Sequence, residues 1–243
     1  MDWLLRAWWV HSHQPASFLR TTIELVRTVN AGNRASPSIR RQMSVRSRFF
    51  PRSAMPISTM LDVKCPSVRL TGEIDMSLSY ALLDEIRLLH DYYQFRTIEL
   101  QIDSPGGSAD ALHYLVLSLR QWRTGEGRVL RTVGLNQVSS AAAMLLSFGT
   151  VGHRSALASS RLLYHQIRTE FSHGTIKTVA QLRVTSRLLE EWDAKFLDML
   201  AEHISLDGRR KASIRRKLET LFQKDKFIDA HEALSYGLID TVV

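Results

Sequence analysis

From Val68 to the end of the chain, short apolar runs of strand length alternate with longer segments of helical periodicity. That order restricts the fold more than any composition does. Strands that alternate with helices are joined by crossovers, so they assemble as a parallel sheet with helices packed on it, an α/β layer fold. Residues 68–72 read as a strand closed by Gly72. Residues 77–92 read as a helix with Leu78, Ala81, Leu82, Ile86 and Leu89 on one face. Residues 97–102 alternate as a strand and run into a turn at 103–107, followed by a helix over 109–122. A strand over 128–135, a small-residue helix over 140–148 and a strand over 161–164 follow. Residues 178–203 form a long helix with Val179, Leu182, Leu189, Trp192, Phe196 and Leu200 on one face. Its remainder, including Arg183, Arg187, Glu190, Glu191 and Lys195, reads as a solvated face. A helix over 230–236, a stop at Gly237 and a strand over 238–243 close the chain. No internal repeat or second linker is visible, so residues 61–243 read as one domain.

Residues 1–60 read differently, as a basic leader rich in Arg and Ser. Nine arginines, no lysine and the two acids Asp2 and Glu24 fall before Ala54, so the formal charge of +8 is concentrated there. The remainder is close to neutral and carries no Lys/Arg stripe interleaved with aromatics, which argues against nucleic-acid binding. The apolar start, Trp3 to Val10, is broken by Arg6 and is shorter than the roughly 20 residues that span a bilayer. It also lacks the uninterrupted apolar core and small-residue cleavage site of a secretory signal. The leader fits a disordered arm, an organelle transit peptide, or sequence upstream of a start at Met43, Met55 or Met60; a helix-like run at 18–29 does not choose among them. The single cysteine, Cys65, excludes an internal disulfide and a Cys-based zinc site.

Four short segments carry chemistry. Gly106-Gly107 stand where a strand hands over to a helix, where backbone N–H groups lie near a positive helix end and a second backbone can approach. A plain strand-to-helix turn is the ordinary alternative. Neither phosphate-binding glycine pattern is present there. Ser140 begins a helix of small residues, which would expose its hydroxyl beside the Ala141 N–H. A serine helix cap is the alternative, and Ser139 next door leaves the register open. His165 follows an apolar strand and has the chemistry of a base for a serine hydroxyl, with His153, His173 and His203 as rivals. Asp225 could orient an imidazole, although an aspartate between two lysines is commonly a solvated group. Oxyanion donors, nucleophile, base and orienting carboxylate are what acyl transfer needs.

Residues 68–243 resemble the proteolytic subunit of the Clp protease, ClpP. Ser104-Pro105-Gly106-Gly107 matches that family's oxyanion turn. Gln137-x-x-Ser140-x-x-Ala143-x-Leu145-Leu146 matches its nucleophile segment and so selects Ser140 over Ser139. Tyr164-His165-Gln166 matches its histidine segment, 25 positions after Ser140 as in the family. Asp225-Lys226-Phe227 and Glu232-Ala233-x-x-Tyr236-Gly237-Leu238-Ile239-Asp240 match its acidic member and closing motif. The resemblance implies a crotonase-like fold of repeated β-β-α units with a protruding handle helix from Thr178, as a single domain after the leader. It implies a serine endopeptidase with Ser140, His165 and Asp225 as triad and Gly106, Gly107 and Ala141 around the oxyanion and substrate. It further implies seven-subunit rings stacked in pairs, an AAA+ unfoldase partner, extended polypeptide as substrate, and no cofactor or metal. The compartment it implies is the cytoplasm, or an organelle matrix where the leader is a transit peptide.

The departures are local. Ile167 stands where the family usually has proline, Glu170-Phe171-Ser172-His173-Gly174-Thr175 replaces a glycine-rich strand, and the interval from His165 to Asp225 is longer, with basic residues added around 209–217. Residues before Val68 do not resemble the family's axial loop. A non-catalytic or partner-activated ring subunit is the main rival reading. A crotonase-type acyl-CoA enzyme would leave Ser140, His165 and Asp225 coincidental. A membrane signal-peptide peptidase would use a serine–lysine pair, and the body carries no obvious membrane anchor.

Overall fold

Three long parallel strands form the spine of the fold in a computed structural model, which describes residues 43–45, 57–62, 65–169, 171, 175–205 and 210–243. They are β3 (Ser67–Ile74), β4 (Thr97–Gly107) and β5 (Val129–Ser139). Their even positions are sealed: Val68, Leu70, Ile98, Leu100, Ile102 and Leu130 are fully buried. The intervening positions of β3 and β4 on the other face are polar, with Arg69 bonded to Gln101, Gln101 to Glu99, and Glu99 paired with Arg131 of β5. One face therefore packs the core and the other is a polar lattice, which is why these strands alternate instead of reading as continuous apolar runs.

Helices α1 (Met76–Arg87), α2 (Ala109–Arg123) and α3 (Ala141–Ser147) follow β3, β4 and β5 in turn. Asp75 caps α1 by accepting the Leu78 N–H at 2.7 Å, and Ser108 caps α2 by accepting the Ala111 N–H. Leu78, Leu82, Leu83 and Ile86 of α1 and Leu112, Leu115, Val116 and Leu119 of α2 are buried at helical spacing. The helix expected over 77–92 is instead α1 followed by a π-helical turn, Leu88–Tyr92, which seats Leu89 in the core.

Beyond α3 come two short strands, β6 (Arg154–Ala156) and β7 (Arg161–Leu163), both parallel to β5. The 26-residue helix α4 (Val179–Ile204) starts at a capping box between Thr178 and Gln181. Its apolar face is buried only at Phe196, Leu197, Leu200 and Ala201; Val179, Leu182, Val184 and Leu188 are exposed. The single buried face expected over its whole length holds for the last third. Then follow α5 (Lys211–Lys224), β8 (Phe227–Ile228), α6 (Ala230–Ser235) and β9 (Thr241–Val242). Helix α5 falls where only added basic residues were noted, and Leu218, Leu221 and Phe222 bury one side of it. Gly237 ends α6 region at φ +72°, a value glycine adopts without steric cost.

The strand order is β1-β2-β3-β4-β5-β6-β9, with β7 on β5 and β8 on β7. β1 (Met43–Val45) and β2 (Ile57–Leu61) form an antiparallel edge on β3 that no sequence signal was read for. β2 reaches back before residue 61, the expected start of the domain. The described residues form one compact unit. The run at 18–29, Met55, Glu170, 172–174 and Arg209 lie outside the described residues. Among the described residues, no helix is long and apolar enough to cross a membrane.

Candidate active site

The site residues come together through strand register. β5 and β7 run parallel with Ser139 beside Leu163, and the Ser140 N–H donates to the Leu163 carbonyl at 2.7 Å. β7 and β8 run antiparallel with Leu163 opposite Phe227. His165 lies two residues beyond the end of β7, and Asp225 two residues before the start of β8. Ser140, His165 and Asp225, far apart in sequence, thus flank three strands that are neighbours in the sheet.

Ser140 has φ 57° and ψ −127°, outside the regions ordinary residues occupy. It precedes α3, yet its side chain makes no cap hydrogen bond, so the helix-cap reading does not describe it. Its neighbour Ser139 is buried and its hydroxyl accepts from Gln137 Nε2 at 3.3 Å. Ser140 is partly exposed, and no hydrogen bond of its hydroxyl is present among the described residues. Of the two serines, Ser140 is the more exposed.

Segment 103–107, expected as a turn, is the last part of β4. A bulge lets Glu73 pair with Gly106 and Ile74 with Gly107. Gly106, at φ +100°, lies directly against the nucleophile segment: a Cβ there would stand 2.6 Å from both the Ser139 carbonyl oxygen and Ser140 Cβ. A Cβ on Gly107 would meet the Ile74 carbonyl oxygen at 2.2 Å. The Gly106 N–H donates to Ser104 Oγ, and Ser104 Oγ donates to the Gly72 carbonyl. Gly106 therefore serves by having no side chain, which lets its backbone lie against Ser140 and the Ala141 nitrogen at the first turn of α3.

The support around these groups was not legible as site chemistry. Tyr164, fully buried beside His165, shares a 2.8 Å hydrogen bond with Ser147 at the far end of α3 and stacks near Phe222 of α5. Burial drives its phenol well above the ordinary tyrosine range, so it stays neutral. One ring thus ties the histidine strand to the serine helix. A tyrosine directly before a histidine at a strand end is the signal that could have suggested it. The Gln137 N–H donates to Asp103 Oδ1 at 3.1 Å, joining the β4 and β5 ends.

Among the described residues, no hydrogen bond joins Ser140, His165 and Asp225 as a relay. His165 Nδ1 donates to the Gln166 carbonyl. Asp225, at the left-handed C-cap of α5, forms an ion pair with Arg168; both are more than half exposed. Among the rival histidines, His203 donates its Nε2 proton to the Gly149 carbonyl at 2.8 Å. Burial first, and then the charges of Arg123, Arg154 and Arg120, push its pKa down to about 4 despite that hydrogen bond. It is a neutral core histidine. His153 precedes β6, its backbone bonded to Thr132 and Thr150. His173 lies outside the described residues.

The family model described as Clp protease matches residues 53–243. Among curated relatives, ATP-dependent Clp protease proteolytic subunit 2 of Streptomyces coelicolor is 32% identical over 171 residues, covering 70% of this chain and 72% of its own. Subunit 1 of Corynebacterium glutamicum is 34% identical over 71% of this chain and 76% of its own. Subunit 3 of Frankia casuarinae is 37% identical over 72% and 76%.

Proposed function

The chain belongs to the Clp protease family, and from that premise we propose that it is a serine endopeptidase with Ser140 as nucleophile. The observation that supports the reading is the close approach of Gly106 to Ser140, next to the β5–β7–β8 pairing that Ser140, His165 and Asp225 flank. Ser140 Oγ attacks the scissile carbonyl carbon while His165 takes the hydroxyl proton. The N–H groups of Gly107 and Ala141 hold the oxyanion. Collapse of the tetrahedral intermediate breaks the C–N bond, and His165 returns the proton to the leaving amine. Water, deprotonated by His165, then hydrolyses the acyl-enzyme and restores Ser140. Asp225 orients the imidazole once it is released from Arg168.

In this reading the protein assembles into seven-membered rings stacked in pairs, with the exposed apolar half of α4 as the handle between them. An AAA+ unfoldase feeds it extended polypeptide, and the site itself uses no cofactor or metal. It works in the cytoplasm, or in an organelle matrix if the leader is a transit peptide. A second reading is a ring subunit that is silent alone or activated by a partner, favoured by the Arg168–Asp225 pair and by the His165–Gln166 hydrogen bond.

A fluorophosphonate serine probe followed by intact-mass analysis tests this. The expected result is one adduct, mapped to Ser140 and absent from Ser140→Ala. An adduct on Ser139 would overturn the assignment, and no adduct on well-assembled wild-type protein would favour the silent-subunit reading.

A further inference from the structure

The residue two beyond His165 is tied to an acid that the triad motif does not contain. The Ile167 N–H donates to Asp193 Oδ1 at 2.7 Å. Asp193 sits in α4 where the helix meets the core: Trp192 packs on His113 and Phe196, and Phe196 and Leu197 are buried just beyond. It is half-buried, whereas Asp225 is largely in solvent and occupied by Arg168. Burial pushes the Asp193 carboxyl up, and the Ile167 hydrogen bond and the positive form of His165 pull it back. The Ile167 hydrogen bond sets the carboxylate against the backbone two residues beyond His165.

The hydrogen bond also depends on the identity of residue 167. Proline has no N–H, so a chain with the family's usual proline after His-Gln could not make it. Ile167 supplies the donor, Asp193 supplies a fixed acceptor, and the two together anchor the 165–167 backbone to α4.

We propose that Asp193 is a positioning residue for His165, holding the histidine segment through the Ile167 N–H and supplying the negative charge that stabilises the imidazolium formed when Ser140 gives up its proton. Asp193 acts through His165 and touches no reacting atom. This rests on the serine-peptidase reading.

Asp193→Asn keeps an oxygen for the Ile167 N–H but removes the charge; Asp193→Ala removes both. With the assembled full chain and a fluorogenic peptide, Asp193→Asn should lower kcat about tenfold, the size expected of one lost charge contact in a partly solvated site, with KM within twofold. The acylation rate of Ser140 by the fluorophosphonate should fall by a similar factor, while the melting curve and oligomeric state stay as in wild type. Asp193→Ala should lose more of kcat. If Asp193→Asn matches wild type in kcat and acylation, or changes KM alone, the proposal is overturned while the peptidase reading stands. If Ser140→Ala retains turnover, or the wild type neither acylates nor cleaves, that reading fails and the proposal with it.

Discussion

Replacing Asp240 with Asn should cost about 3 kcal/mol of stability, and the geometry says why. The Asp240 carboxylate accepts four hydrogen bonds: from the Gly152 N–H at 2.8 Å, the Arg154 N–H at 3.0 Å, Arg154 Nε at 2.9 Å and Arg154 Nη2 at 2.6 Å. The Arg154 side chain is 2% exposed and that of Asp240 20%, so the guanidinium has almost no water to turn to. Breaking a buried pair by removing one partner typically costs ~3–5 kcal/mol, because the remaining charge stays buried and uncompensated. The partial exposure of Asp240 argues for the lower end. Asparagine keeps the shape but turns an amide toward one of these donors and loses the charge. For a domain of this size ~3 kcal/mol corresponds to a fall in Tm of about 6–12 °C. Burial alone would raise the Asp240 carboxyl, but the Arg154 hydrogen bonds and charge and the Gly152 N–H outweigh it and hold it below its ordinary value. A group with a depressed folded pKa contributes in full above its unfolded pKa and loses that contribution as pH falls through the folded one. The difference between wild type and variant should therefore be constant from pH 6 to 8 and shrink only in acid below the ordinary carboxylate range. Urea unfolding and thermal melts followed by circular dichroism read both. A Tm within 2 °C of wild type would refute the argument, since it would mean Arg154 keeps its hydration. Recovery of most of the loss in Arg154→Met/Asp240→Leu would support it.

Gly106→Ala should impair turnover more than stability. Positive φ on a non-glycine residue costs ~1–3 kcal/mol. The new Cβ, 2.6 Å from Ser140 Cβ, must push the nucleophile segment roughly 1 Å to reach ordinary contact distance, enough for about a 10²-fold loss of kcat; peptide turnover within threefold of wild type would count against the site as described. His203 offers a pH test: with its folded pKa near 4 and an unfolded value near 6.5, the unfolded chain takes up the proton first, so stability falls as pH drops through that window. Wild type should lose about 2 kcal/mol more than His203→Gln between pH 7 and pH 5 in urea titrations, and parallel curves would contradict the buried neutral imidazole.

The α/β alternation and most helices were legible because their signals are local. Asp75, Ser108 and Thr178 cap the helices that begin beside them, and apolar spacing marks their buried faces. Helix α5 is not legible in the same way: Ile214, Leu218, Leu221 and Phe222 have helical spacing, but they are diluted by the basic residues between and before them. β1, β2 and β6 were missed for another reason. They are short and owe their form to a neighbouring ladder, so little in their own residues declares a strand. The N-terminal half of α4 was read as one continuous buried face because periodicity reports amphipathicity and is silent on whether a partner is present.

The site divides along the same line. Glycine at 106 and small residues after Ser140 reflect backbone needs, and backbone needs show in residue type. Which acid serves which base does not, because it turns on side chains that meet only in the fold. The motif pairs Asp225 with His165, yet Arg168, three residues past the histidine, takes its carboxylate. Asp193, in a helix begun 14 residues earlier in the chain at Val179, takes the N–H of Ile167. As a motif position, Ile167 is only a missing proline. As a donor, it is the atom that lets α4 hold the histidine segment, so the departure from the family pattern and the acid that answers it belong to one device.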